Sequence, residues 1–403
     1  MKTSIIIICN NRLSYMKKCI DCIKKYTSQY EYEIIVVCNN CNYETVEWLR
    51  EKENIKTILN TQDVSLSKAY NKGIKVCCGD DIVLLKSNIN VTPNWLYNLK
   101  KCLYSSKNIG IVSPVFNYCP HFQSIDVKCN NMNDIIDFAE EYNISCFHKW
   151  KERLRLTFYC VLIKRTSMNK IGLFDEIFNP HSYEDDDYSF RARRQGFRLF
   201  LCKDTFVYCN KEALLEVENE KFQKILSINK NKFIEKWKIH PNYFMIMRKK
   251  IVSIIEKSNK ERMNILQIGC GAGGTLLDIK NTVSKCNLYG IEENSKIVLN
   301  TNHFADIKIG QLEQMKKFNK KFFDCIIITQ YKTDLNYYIK VFISVKEYLK
   351  EESSIFVIMP KCFNLKLMFI KEEIKKIFNE FSYENYDENK DFFLVHLKLK
   401  NLC

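Results

Sequence analysis

The sequence predicts an α/β chain, with two parallel-sheet units joined by a helical connector, and three observations carry that prediction. First, β-branched apolar runs alternate with helical patterns from the start, as in SIIIIC, SYMKKCIDCIKKY, EIIVVC and YETVEWLREK. Strands that alternate with helices build parallel sheets with crossover connections. Second, the alternation stops near residue 211, where Phe222, Ile225, Leu226, Phe233 and Trp237 recur at helical spacing among lysines and glutamates. Third, it resumes at MNILQIGCGAGG, where a strand meets a helix through a glycine-rich turn. With 403 residues the chain is long enough for two cores. The expected boundaries are 1–211, 212–262 and 263–403.

Composition narrows the class. An apolar fraction of 46% suits a globular protein. The opening MKTSIIIICNN has too short an apolar core for a signal peptide, and no run reaches the roughly 18–20 apolar residues that span a bilayer. A cytoplasmic location is therefore expected. The 19 cysteines are scattered in a large chain without a secretory signal, so a disulfide framework is not expected and most are expected to be reduced core residues. A net charge of +15, mostly from dispersed lysine, suits anionic partners such as nucleotides, phosphorylated lipids or an inner membrane surface. No recognition helix or aromatic-basic platform is visible, so nucleic acid is not an expected partner.

Along the first unit, DIVLL and IGIVSP read as further strands, and FYCVLIKR as a strand leading to an acidic cluster. Ligands of open parallel sheets bind at the carboxyl ends of strands. That rule puts Asn10, Asn11 and Arg12 after the first strand, and the loop Cys38 to Cys41, with Asn40, after the second. AYNKGIKVCCGD reads as the following helix. The cluster YEDDDYSFRARRQGF sets Glu184, Asp185, Asp186 and Asp187 ahead of Arg191, Arg193 and Arg194. It suits either catalytic carboxylates or a helix N-terminus stabilised by its dipole. Cys19-Ile-Asp-Cys22 and Cys38-Asn-Asn-Cys41, with 15 residues between them, have the spacing of a four-cysteine zinc site. The first pair lies inside an amphipathic helical pattern with Met16, Ile20 and Ile23, so a core role is expected for it.

SIIIICNNRLSYMKKCIDCI, YEIIVVCNNCNYETVEWL, LSKAYNKGIKVCCGDDIVLLKSNINVTPNWL, IGLFDE and YEDDDYSFRARRQGFRL together resemble the family 2 glycosyltransferases of the GT-A fold, especially their rhamnosyltransferase-like branch. The resemblance covers about residues 3–240, and NKNKFIEKW resembles that branch's tail. It implies a nucleotide-sugar donor held by Asn10, Asn11, Arg12, Cys38 and Asn40, with Asn71 and Gly73 facing the donor. It implies inverting transfer with Asp185 as general base, Glu184 as second choice, Asp187 as a supporting acid paired with Arg191, and Asp186 exposed to solvent. A divalent cation, Mg²⁺ or Mn²⁺, usually meets the leaving diphosphate in such enzymes. Here the metal motif reads Lys86, Ser87, Asn88, with Asn88 in the usual aspartate place. Cys38 replaces another aspartate, and Cys209 or Asn210 a histidine. Two consequences are open: Lys86 serves as the cation at the diphosphate, or the domain binds without turnover.

NILQIGCGAGGTLLDI joins a strand to a helix, and LYGIEENS ends a second strand with an acid about twenty residues later. A close backbone approach plus an acid for ribose hydroxyls is the physics of a Rossmann-like nucleoside site. With KKFFDCIIITQ and VKEYLKEESSIFVIMP, these segments resemble class I S-adenosylmethionine-dependent methyltransferases over about residues 263–362. The resemblance implies cofactor contacts from Gly269, Gly271, Gly273 and Glu292, with Gln311 near the adenine where an aspartate is common, and TQYKTDL in place of Leu-Glu-His. The combined expectation is sugar transfer to a glycan, lipid-linked or protein hydroxyl in surface polysaccharide or flagellar glycan assembly, linked to methylation and to peripheral membrane association. The alternative is a catalytically degenerate binding or scaffolding protein of the same pathway.

Overall fold

The computed structural model describes residues 1–9, 12–120, 122–128, 131–210, 220–244, 247–258, 262–283, 285–329, 335–360, 372, 375–377, 381–387 and 392–399. The chain forms two compact units, Met1–Pro241 and Asn242–Cys403. Both are α/β, each around a predominantly parallel sheet.

The first unit contains β1 Thr3–Cys9, β2 Tyr32–Asn39, β3 Ile55–Asn60, β4 Asp81–Lys86, β5 Ile89–Asn90, β6 Ile109–Phe116, β7 Trp150–Arg153, β8 Cys160–Lys164 and β9 Arg198–Cys209. Their order is β3-β2-β1-β4-β8-β6-β9-β5, with β7 also paired to β9. The strands β3, β2, β1 and β4 run parallel, and β8 is antiparallel to both β4 and β6. Every residue of β1 is buried, as a strand covered by helices on both faces requires. Register aligns Cys9 with Cys38 and Ile8 with Lys86, so the carboxyl ends of β1, β2 and β4 share one edge.

Helix Leu66–Val76 begins at Ser65, whose hydroxyl accepts from the Lys68 amide. It lies very close to the sheet. A Cβ at Gly73 would meet Ile6 Cγ2 at 2.5 Å, so glycine is what lets the helix settle there. Gly73 thus faces β1 and β2 rather than a donor, which corrects the sequence expectation.

Helix Glu220–Trp237 belongs to the first unit and helix Lys249–Lys257 to the second. The expected connector over 212–262 is thus divided between the two units; its residues 212–219 lie outside the described residues.

The second unit contains β10 Met263–Ile268, β11 Cys286–Glu292, β12 Asp306–Ile309, β13 Phe323–Ile328, β14 Leu349–Pro360, β15 Phe381–Asp387 and β16 Phe392–Leu399. Their order is β12-β11-β10-β13-β14-β16-β15. The first five are parallel, and β16 is antiparallel to β14 and β15. Among the described residues no helix is long and apolar enough to cross a membrane.

Candidate active site

The acidic cluster is the first turn of helix Glu184–Arg194, with Arg191, Arg193 and Arg194 in its last turn. Negative charge at the amino end and positive charge at the carboxyl end both complement the helix dipole. The four acids differ in their surroundings. Asp187 is fully buried and accepts from Arg191 Nε at 2.8 Å, Lys236 Nζ at 2.6 Å and Trp237 Nε1 at 2.8 Å. It anchors helix Glu220–Trp237 to the acidic helix. Asp186, expected to be a solvated bystander, is buried with its Oδ1 2.5 Å from Arg155 Nη1. The correction has a plain cause. The segment after β7 packs on this helix, where the Leu156 amide donates to Ser189 Oγ, and its Arg155 meets the face that carries Asp186.

Glu184 is buried, and its Oε2 has no hydrogen-bond partner among the described residues. Burial and then the adjacent Asp185 charge push its carboxyl up to about 8, so it holds a proton at neutral pH. Burial pushes Asp186 up to about 7 against the pull of Arg155. Asp185 is the most open of the acids that touch Arg155: its side chain keeps 14% exposure against 4% for Asp186. Its Oδ1 accepts the Asp186 amide at 2.9 Å, and its Oδ2 lies 3.7 Å from Arg155 Nη2.

Lys86, at the end of β4, holds its ammonium 4.0 Å from the centre of the Tyr159 ring. Its charge acts on Glu184, His181, Cys119 and Cys209, which puts it amid the groups around the acidic turn. The His181 imidazole is held below its usual range by burial and then by Lys86. The His181 carbonyl accepts from the buried Asn229 Nδ2 at 2.7 Å, so the connector helix also fixes this loop. Across from it, the Leu66 amide donates to Pro180 O at 2.8 Å.

The structure brings together three positions where the metal motif departs from pattern. Asn88 Nδ2 donates to Cys209 Sγ at 3.6 Å and Asn210 O at 3.5 Å, and Asn210 Nδ2 returns a bond to Asn88 O at 3.0 Å. Hard divalent cations prefer carboxylate oxygens. With an ammonium, a neutral amide and a thiol in place of carboxylates, these positions lack the negative charge that holds Mg²⁺ or Mn²⁺.

Among the donor residues expected from sequence, Asn10 and Asn11 lie outside the described residues. Arg12 precedes helix Leu13–Thr27 and lies 5.8 Å over the Tyr15 ring. Asn40 is exposed and left-handed at φ 52°, with its amide donating to Asn60 O. Asn71 is buried and spoken for: its Nδ2 donates to Phe174 O and Glu176 Oε1, both at 2.9 Å, and its Oδ1 accepts the Phe174 amide. It therefore clamps the IGLFDE segment instead of facing a donor. Cys38 is disulfide-bonded to Cys41, against the expectation of reduced cysteines, because the turn after β2 folds their sulfurs together. Cys19 and Cys22 stay in the core, so the four-cysteine zinc set is not assembled. The sulfur that joins Cys38 and Cys41 is that of Cys9.

Sequence reasoning missed Arg155, Tyr159, Asn229 and Lys236. Arg155 sits in KERLRL, which has no motif, whereas Asn229 and Lys236 both fall in NKNKFIEKW, whose resemblance was the available signal.

In the second unit, Glu292 ends β11 beside the glycine loop. Its Oε2 accepts the Gly271 amide at 2.7 Å and its Oε1 the Asn294 amide at 3.0 Å. Gly269, Gly271 and Gly273 all have positive φ, and the Phe304 ring closes on Gly273, where a Cβ would meet it at 3.1 Å. Gln311 is exposed at the start of a 3-10 turn, its amide donating to Glu313 Oε1. Residues 330–334 of TQYKTDL lie outside the described residues.

Residues 4–158 match the family model described as glycosyl transferase family 2. The N-terminal unit carries a glycosyl transferase family 2 domain. The chain is 25% identical over 224 residues to a hyaluronan synthase of Pasteurella multocida, covering 48% of this chain and 23% of that protein. It thus spans about a quarter of that relative's length. A solved GalNAc-T7 with UDP, GalNAc and Mn²⁺ is similar at 13% identity and TM-score 0.42, over 52% of this chain and 43% of the other. A precorrin-6y C5,15-methyltransferase of Geobacter metallireducens is similar at 11% identity and TM-score 0.32, over 39% of this chain and 90% of the other. The family 2 domain ends short of the acidic helix, which the same unit supplies.

Proposed function

We propose that the first unit transfers a sugar, with inversion, from a nucleotide-sugar donor to a hydroxyl of a glycan, lipid-linked or protein acceptor. The observation that carries this reading is the division of labour in the acidic turn. Asp187 is consumed by structure, Asp186 by Arg155, and Glu184 keeps its proton, which leaves Asp185 open to act as base. In the proposed step the acceptor hydroxyl gives its proton to Asp185 as its oxygen bonds the anomeric carbon. The bond from that carbon to the diphosphate breaks, and Lys86 faces the charge that collects on the leaving oxygens.

Transfer assays with a nucleotide-sugar panel test this. Asp185→Asn is expected to lower kcat by about 10²–10⁴-fold with the fold intact. Activity is expected to survive EDTA; loss in EDTA restored by manganese sinks the role given to Lys86. A second reading, binding without turnover, draws on the uncharged Asn88 and the Cys209 thiol that stand where carboxylate and imidazole ligands are usual, with Asn88 Nδ2 donating to Cys209 Sγ and Asn210 O. Donor binding by calorimetry with no turnover by wild type would favour it.

For the second unit we infer a nucleoside site of the S-adenosylmethionine class, formed by Gly269, Gly271, Gly273 and Glu292, with Gln311 at its edge. The placement of an acid against a glycine loop fits such a ligand. When bound, this cofactor supplies an electrophilic methyl group. A methylated sugar in a surface polysaccharide or flagellar glycan is the product class this pairing suggests. Calorimetric titration with S-adenosylmethionine, repeated on Glu292→Gln, tests the site.

A further inference from the structure

Cys9, Cys38 and Cys41 bring their sulfurs within 4.8 Å of one another at the carboxyl ends of β1 and β2. Cys9 and Cys38 are direct register partners on adjacent parallel strands. Cys41 follows Cys38 at the spacing of a two-thiolate chelate, and their Cα atoms are 5.6 Å apart. Such chelates need a tight turn between the two sulfurs. Here Asn40 supplies it, left-handed at φ 52° and pinned by its amide to Asn60 O. Cys41 Sγ also lies 3.5 Å from the Cys9 carbonyl, so the third strand-end residue is already in touch with the turn. Cys9 and Cys38 are buried and Cys41 is half-buried, which gives a site closed on the protein side and open toward solvent at one corner.

We propose that, in the dithiol state, Cys9, Cys38 and Cys41 form a three-thiolate site for a soft divalent cation, zinc in particular. Metal–sulfur bonds of about 2.3 Å need sulfurs roughly 4 Å apart. Cys38 and Cys41, joined covalently in the disulfide, must therefore separate on reduction, while Cys9, within 4.8 Å of both, is already near that distance. Thiolates favour soft and borderline ions over Mg²⁺ or Mn²⁺. Water completes the coordination at the open corner. The Cys38–Cys41 disulfide is the oxidised form of the same site. A phosphine reduces it by adding to sulfur: the S–S bond breaks, both sulfurs take protons, and the phosphine leaves as its oxide with an oxygen from water. Binding then releases the thiol protons to solvent. The site is independent of the transferase reading, because its test reads metal and not sugar transfer.

The test uses the full-length protein, reduced with a phosphine and stripped by chelator, titrated with Co²⁺ as a spectroscopic stand-in and then with Zn²⁺. The expected result is one equivalent of Co²⁺ with a thiolate-to-metal charge-transfer band, displaced by Zn²⁺. The band is expected to be lost in Cys41→Ser and kept in Cys22→Ser, a change in the other CxxC pair. Protein left oxidised is expected to lack it, a control that needs no substitution. No band from reduced wild type, an undiminished band in Cys41→Ser, or its loss in Cys22→Ser overturns the proposal.

Discussion

Lys236 measures how tightly the connector helix holds the acidic helix. Its Nζ lies 2.6 Å from both Asp187 Oδ1 and Asp175 Oδ2. Asp187 is fully buried, so the first contact is a charge-assisted bond out of water, worth about 1.5–3 kcal/mol. The loss in Lys236→Met should stay below the roughly 3–5 kcal/mol of a fully orphaned buried charge, because Arg191 and Trp237 still donate to Asp187. Asp175 is partly exposed, and its share is about 0.2–1 kcal/mol. The expected destabilisation is therefore about 2–4 kcal/mol. Urea denaturation followed by tryptophan fluorescence reports it cleanly, since all 4 tryptophans, Trp48, Trp95, Trp150 and Trp237, lie in the first unit. With a urea slope of about 3 kcal/mol per molar, the midpoint falls by about 1 M. Lys232→Met is the control: it removes an exposed bond to the Ile177 carbonyl and should change stability by under about 0.5 kcal/mol. An unchanged midpoint in Lys236→Met, or an equal fall in Lys232→Met, refutes the reasoning.

Other expectations follow from the same cluster and its supports. Arg155→Met removes the cation that pulls the buried Asp186 carboxyl down, so the group takes up a proton and the cost should stay below the roughly 3–5 kcal/mol of a stranded buried charge; Arg155→Met combined with Asp186→Asn should recover part of it in the same denaturation assay. Glu184, pushed up to about 8, keeps a proton in the folded state that the unfolded chain releases near pH 4.3. Its stabilising contribution is full below that lower value and is lost as pH rises through about 8, with a slope of up to about 1.4 kcal/mol per unit. Glu184→Gln should flatten the profile between pH 5 and 8, and parallel wild-type and variant curves would count against it. Gly73→Ala forces Ile6 away from the helix and should destabilise the first unit by about 1–3 kcal/mol, read from the same fluorescence midpoint.

Much of the architecture was legible because its signals are local. The all-buried β1 reads as SIIIIC, and the glycine loop after β10 reads as a strand-to-helix turn. The acidic helix was equally plain in YEDDDYSF. What local pattern could not reveal was which acid meets which partner. Asp186 was expected to be exposed because it fills the variable place of the resembled motif; its cation, Arg155, arrives from 31 positions earlier. Asn71 looked like a donor contact, yet its amide is taken up by Phe174 and Glu176 across 103 and 105 positions. The core role expected for Cys19 and Cys22 held, but the partner of Cys38 and Cys41 was hidden for a related reason. Spacing along the chain matched Cys19 and Cys22 to Cys38 and Cys41, but strand register decides neighbours in a parallel sheet, and register chose Cys9.

Gly73 carries one more implication. The helix that depends on its missing side chain also presents Asn71, which grips the segment leading into the acidic turn. A side chain at position 73 would therefore be felt at the acidic turn as a displaced loop, with no ligand contact of its own. In a scan of mutational tolerance, this core position should behave like a residue of the acidic turn, and screens that sort variants by distance from the chemistry would misfile it.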